Sequence, residues 1–328
     1  MAGEVSRRTF VRNSVLASAG VAMALGADGG KRLAQGAEAP AGGAAALPKG
    51  TIPKGKIGHL EISRLVLGGN LLSLYQHSRD QVYVHRLVQA YNTDAKIQET
   101  LALAESMGIN TMSGHSHPNI MKNVIAHRKN GGKMKWIICP TADIENPAQY
   151  DKNVQELMDV GTDAIYLWGV HTDQLVAKGK ADLIGKTVER VKARGVLCGV
   201  GAHDLRVIQE SESMKAPCDF YLKTLHHHNY PTGPRADEIK GPYNEYPGYW
   251  CSQPKETIEF LKTVGKPWFA FKVMASGTIP PQDAFKYVID NGADFIIAGM
   301  FDFDVVPDAK LINDILAAQP KRDRPWRA

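Results

Sequence analysis

With 328 residues, 44% of them hydrophobic, the chain is long enough to bury one large core or two small ones. The formal charge of +5 is modest, and outside the N-terminus Lys and Arg are scattered without a long basic run, which argues against a nucleic-acid partner. Cys139, Cys198, Cys218 and Cys251 lack the CxxC spacing of a metal knuckle; Cys139 and Cys198 sit in apolar strand-like runs that suit buried thiols, while an oxidising compartment leaves disulfides open.

In chain order, Ser6-Arg7-Arg8-Thr9-Phe10-Val11-Arg12 and the weakly apolar run over 14–27 resemble a twin-arginine export signal, whose Arg pair is read by a receptor. The resemblance implies a signal over 1–27, cleavage after Ala24, Ala27 or Ala39, and use of the twin-arginine export machinery. It further implies a periplasmic or exported destination for a protein carried already folded, often with a cofactor inside. The run is too short and too small in side chain for a membrane span. Residues 28–50, rich in Ala, Gly and Pro, read as a flexible linker, which leaves 51–328 as a single catalytic domain.

Residues 56–63 alternate like a small hairpin, and 64–70 read as a first buried strand. The polar and aromatic stretch 71–94 has the length of a lid or binding loop. Helical spacing over 97–107 ends at Gly108, a C-cap. Strand and helix patterns then recur: 111–113 with 120–128, 136–139 with 150–160, 164–168 with 183–194, and 196–200 with 205–211. They continue with 220–225 and 255–264, 268–273 and 281–291, and 295–298 and 310–318. Eight such units predict an α/β fold of the (β/α)8 TIM-barrel kind behind an N-terminal β-hairpin. A doubly wound open sheet is the alternative, weakened because no GxGxxG opens a helix.

Chemistry in such barrels sits just past the strand ends. Those positions carry Asn70, His115 with His117, His171, His203, the run His226-His227-His228, Lys272, and Asp302 with Asp304. His115 and His117 are two apart and share a face of an extended chain. Neutral imidazoles suit a divalent transition metal such as zinc, manganese, iron or cobalt, and three protein ligands leave a position for water or substrate. His115, His117, His171, His203 and His228 are therefore candidate metal ligands. His171, His203 and Lys272 are candidate catalytic groups, since a buried Lys shifts its pKa readily. The insertion 229–253 interleaves Tyr230, Tyr243, Tyr246, Tyr249 and Trp250 with Pro and Gly. Exposed rings there could stack on a sugar, making Asn70, Tyr230, Tyr249 and Trp250 candidate substrate contacts, or the rings could simply hold their own loop.

Several landmarks resemble the aldo/keto reductase superfamily: Gly58 through Asn70 its opening hairpin and first strand, and Gly108-Ile109-Asn110 the entry to its second. Ile165-Tyr166-Leu167-Trp168-Gly169-Val170-His171 resembles its fourth strand, Gly199-Val200-Gly201-Ala202-His203 the fifth, and Lys272-Val273-Met274-Ala275-Ser276-Gly277 the seventh. The resemblance implies an NAD(P) cofactor and an Asp, Tyr, Lys and His tetrad. Matched by position, the Asp falls near Ser113, the Tyr near Pro118 and the Lys near Pro140, so only His171 carries over. Gly299-Met300 is followed by Phe301-Asp302-Phe303-Asp304, and two carboxylates would repel a nucleotide phosphate. The leading expectation is an exported, metal-dependent enzyme acting on a small carbohydrate or polyol by isomerase, lyase or hydrolase chemistry. The alternatives are an NAD(P)-dependent oxidoreductase using His171 with Lys272 or His115, and a non-catalytic ligand-binding barrel.

Overall fold

The computed structural model describes residues 47–328 apart from 79, 80, 247 and 319–321. The expected export signal, and residues 28–46 of the expected linker, lie outside the described residues.

A two-stranded antiparallel hairpin comes first: β1 (Lys54–Ile57) and β2 (Leu60–Ser63) pair from Lys54↔Ser63 to Ile57↔Leu60 around Gly58, whose φ of +53° suits a residue without a Cβ. Eight parallel strands follow. They are β3 (Leu65–Gly68), β4 (Thr111–His115), β5 (Lys135–Cys139), β6 (Ala164–Leu167), β7 (Leu197–Ala202), β8 (Phe220–Thr224), β9 (Trp268–Phe271) and β10 (Phe295–Ala298). The ring closes where β10 pairs with β3 through Ile296↔Leu65. These short, largely Val, Ile, Leu and aromatic runs are buried on both faces, as parallel strands wrapped in helices must be.

The described helices are α1 (Val82–Tyr91), α2 (Asp94–Ser106), α3 (Pro118–Lys129), α4 (Pro147–Asp159), α5 (Gly169–Ala177), α6 (Asp182–Lys192), α7 (Leu205–Ser213), α8 (Pro254–Thr263), α9 (Pro281–Asp290) and α10 (Asp302–Ala317). Their starts obey local chemistry. Thr93 and Asp204 accept N–H bonds from Lys96 and Arg206, and α3, α4, α8 and α9 open on Pro, whose missing N–H costs nothing there. No helix among the described residues is long and apolar enough to cross a membrane.

The barrel and its hairpin agree with the sequence pattern, with four differences. The 71–94 connection contains α1, and α5 intervenes between β6 and α6. The last helix starts at Asp302 rather than at residue 310, carrying Pro307 inside it, a residue that reads as a breaker because it removes one helical donor. β9 stops at Phe271 because Lys272 turns left-handed, with φ +55°.

Two apolar layers result. Between strands and helices lie residues such as Trp136, Ile165, Tyr221, Trp268 and Ile296. Inside the ring, Val66, Ile137, Phe220, Leu222, Phe269 and Phe295 pack onto Ile57, Leu60 and Ile62 of the hairpin, which plugs the N-terminal face. The C-terminal tail seals the same face: Arg324, 1% exposed, meets the buried carboxylate of Asp294 at 2.7 Å. Plugged below, the barrel leaves its carboxyl-end mouth for chemistry. All four cysteines are buried and free.

Candidate active site at the barrel mouth

Lys272 stands at the turn out of β9, and three separate stretches meet on it. It donates a hydrogen bond to His77 Nε2, which also accepts from Asn70 Nδ2 at 3.2 Å. With both donors on Nε2, the ring proton must sit on Nδ1, where it is donated to Glu245 Oε1 at 2.8 Å. The Trp250 ring lies 5.3 Å from the Lys272 ammonium. Burial lowers the Lys272 pKa to about 7, against the partial support of the Glu245 charge. Burial also lowers His77, opposed by its Glu245 bond and reinforced by the Lys272 charge. Glu245 is pressed upward by burial, but the His77 bond and the neighbouring positive charges hold it below its ordinary value.

Beside this relay is a second pair. His203 follows β7 and directs Nδ1 to Asp173 Oδ2 at 2.7 Å, which fixes the proton there and leaves Nε2 as the acceptor. Asp173, on α5, is held in turn by the backbone N–H groups of His203 (3.0 Å) and Asp204 (2.9 Å). Burial lowers the His203 pKa; Asp173 opposes that, and the charges of Lys272 and Lys223 add to it. Tyr243 and Phe271 flank the imidazole at 4.5 and 5.4 Å.

Backbone strain concentrates here. Leu74, His77, Lys272, Ala275 and Ser276 all take positive φ, and Ser276 Oγ donates to His77 O at 3.0 Å, tying the two strained turns together. Each such residue costs on the order of 1–3 kcal/mol, and strain of this kind gathers where side chains must be aimed.

The other histidines do not meet at one point. His115 and His117 have rings 5.6 Å apart; His115 stacks on Trp168 at 6.2 Å, and the same indole meets the His171 ring edge-on at 5.0 Å. His117 Nδ1 caps α3 by accepting from the Asn119 N–H, and His228 Nε2 bonds to Cys251 O at 2.7 Å. His203 is committed to Asp173. No group of three or more His, Cys, Asp or Glu among the described residues is placed to hold a metal ion. The expected ligands His115, His117, His171, His203 and His228 form no such group: the His115 and His117 rings meet, but His171 meets Trp168, His203 is paired with Asp173 and His228 with the Cys251 carbonyl. His171 Nδ1 is buried without a hydrogen-bond partner, beside Trp168 rather than beside Lys272.

The aromatic insertion is also built differently from an exposed platform. Tyr249 and Trp250 are buried; Tyr249 Oη accepts from the Lys240 N–H and donates to Lys240 O, and the Trp250 backbone N–H is donated to His226 Nε2 at 2.9 Å. Tyr230 is half-buried and donates to Gly248 O. These rings hold the loop that delivers Glu245 to His77. His77, Glu245 and Asp173 are absent from the sequence-derived candidates; the lid-length connection and the insertion were the signals that could have found the first two.

A nucleotide phosphate would be expected at the amide end of α10, beyond β10. There Asp304 already accepts the Phe301 N–H at 3.0 Å, and Asp302 accepts the Tyr91 hydroxyl at 2.6 Å while pairing with Lys96 at 3.0 Å. Two carboxylates occupy the positive end of the helix, so these residues do not fit a phosphate.

By sequence, no known family pattern and no curated protein matches this chain. By structure, it is similar to an aldo-keto reductase assignment from Pseudomonas aeruginosa, with 16% identity over 80% of this chain and 95% of the other and a TM-score of 0.52. It is also similar to a variant of Gox0644 in complex with NADPH, with 8% identity over 85% and 97% of the two chains and a TM-score of 0.51. The shared feature is the closed barrel of eight parallel strands ringed by helices.

Proposed function

We propose that this chain is an exported enzyme that moves a proton at the carbonyl or carbinol oxygen of a small polar substrate, with Lys272 as the acid–base group. The observation that carries the reading is Lys272 itself, titrating at about 7 and aimed by His77 and Glu245. A group that titrates near the working pH is the most effective proton donor and acceptor. Of its three N–H groups His77 engages one, so others can meet a substrate oxygen. As the ammonium, Lys272 protonates a carbonyl oxygen; as the amine, it takes a proton from a hydroxyl. His203, with Nε2 as acceptor, takes the second proton from the carbon beside the carbonyl as Lys272 protonates the oxygen, giving an enediol, and the Asp173 bond stabilises the imidazolium that results. His171 and His115, neutral beside Trp168, offer hydrogen bonds to further hydroxyls, which favours a polyol or carbohydrate. Export rests on the Arg7-Arg8 motif.

Two cofactor readings bear on the reaction. NAD(P)-linked carbonyl reduction draws support from the likeness to an NADPH-bound barrel, whereas the metal-dependent reading has no convergent ligand set behind it. The carboxylates at α10 oppose a phosphate, so no step here is routed through a nucleotide.

The test is proton NMR in D2O on the full chain with a panel of aldoses, ketoses and keto-sugars, with and without NAD(P)H. The expected result is nucleotide-independent conversion or carbon-bound deuterium exchange that falls at least ~100-fold in Lys272→Gln. Turnover only with nucleotide consumption would favour the oxidoreductase reading, and undiminished turnover in Lys272→Gln would overturn the site.

A further inference from the structure

The outer face of α1 is a different kind of feature, unconnected with the proposed proton transfer. Tyr83, Leu87 and Tyr91 recur at i, i+4 and i+8 and share one side of the helix, the spacing of a buried stripe. Yet Tyr83 is 66% exposed, Leu87 62% and Val82 59%. Of its ten residues, Val88 alone is fully buried. A helix this short is marginal in water unless a face is packed. The stripe continues onto the start of α10: Tyr91 lies 6.0 Å from Phe303, 62% exposed, which stacks on Phe301 at 5.1 Å.

We propose that the Tyr83–Leu87–Tyr91 face of α1, continued by Phe303, is the contact face of a twofold homodimer. Aromatic side chains present about 150–250 Å² each, so three rings exposed by 40–66%, with Leu87 and neighbouring Val82, leave on the order of 500 Å² of apolar surface. With a polar rim this approaches the roughly 800 Å² that each partner contributes to an ordinary stable interface. The charges on the rim are also self-complementary. Exposed Arg86 lies on the Tyr83 side of Leu87 in α1. At the Tyr91 end, Asp302 and Glu99 both pair with Lys96, two carboxylates to one ammonium among the described residues. A twofold axis through Leu87 runs the two helices antiparallel, setting the basic end of each copy against the acidic end of the other.

Sedimentation of the full chain tests this. A particle of twice 35.8 kDa is expected at micromolar concentration, with a dissociation constant raised at least ~30-fold in Leu87→Glu at unchanged circular dichroism. Because the native cysteines are buried, Leu87→Cys is expected to cross-link two copies on mild oxidation. Arg86→Glu is expected to weaken the dimer, and adding Glu99→Arg to restore it. The proposal is overturned if the wild type sediments as a monomer at roughly 100 µM, or if Leu87→Glu remains dimeric. It is equally overturned if a monomer floats with anionic vesicles in a Leu87-dependent way, since the face would then belong to a lipid surface.

Discussion

His115 has a pKa lowered to about 4, first by burial and then by the neighbouring His117 charge, so it is neutral in the folded protein at ordinary pH. Between pH 6.5 and 4 the unfolded chain binds a proton at this position that the folded chain refuses, so stability falls as pH drops through that window. Denaturation of the wild type at pH 7 and pH 4 should differ by on the order of 2 kcal/mol more than in His115→Phe, whose ring can still stack on Trp168. Equal pH dependence in the two proteins would mean that His115 is solvated. Lys272 behaves in the opposite range. With a folded pKa of about 7 against an ordinary 10.5, it withholds a proton that the unfolded chain binds between those values, so its contribution to stability rises with pH across that span. Lys272 and His203 were legible in the sequence because each directly follows an apolar strand. His77 and Glu245 were not, since they sit in irregular connections where no periodicity says which residue points inward.

At the level of elements, β6, α5 and β7 approach so closely that Gly201 has no room for a side chain. A Cβ there would lie 2.7 Å from Leu167 O and 3.0 Å from the Gly169 nitrogen, both backbone atoms that cannot swing aside. Gly201→Ala is expected to cost about 1–3 kcal/mol in a denaturant midpoint, and to reduce activity with it, because Gly201 O accepts the Thr172 hydroxyl at 2.5 Å on the helix that carries Asp173. A neutral substitution would show that the junction can spread. The strands were legible as short Val- and Ile-rich runs bounded by Gly. α5 was not, because Gly169-Val170-His171 reads as the end of a strand and its helix is only nine residues long. In the insertion the sequence left two readings open for Tyr249 and Trp250, exposed stacking rings or rings that hold their own loop; they are buried against His226 and His228, which shapes the loop.

Across the whole molecule, the two ends of the barrel divide the work of stability and chemistry. At the N-terminal face Arg324 donates to Leu261 O, Gly292 O and Lys266 O as well as to Asp294, while Arg64 and Arg322 stack on Trp326 with distances of 4.1 and 3.4 Å to the ring centroid. Arg324→Met removes the closest cation from the buried carboxylate of Asp294, so a loss of about 3–5 kcal/mol is expected by thermal or chemical denaturation. A loss below about 1 kcal/mol would show that Arg322 or the Trp268 and Arg327 N–H groups suffice for that carboxylate. At the opposite face, residues 77, 245 and 272 are brought together only by closure of the ring, and the claim that they form one acid–base unit rests on that convergence. NMR titration of the Lys272 side chain in the full chain, assigned by its loss in Lys272→Gln, addresses it most directly. The midpoint is predicted at about 7, moving lower in Glu245→Gln once the supporting carboxylate is gone; a midpoint near the ordinary value of about 10.4, or one indifferent to Glu245, would contradict it.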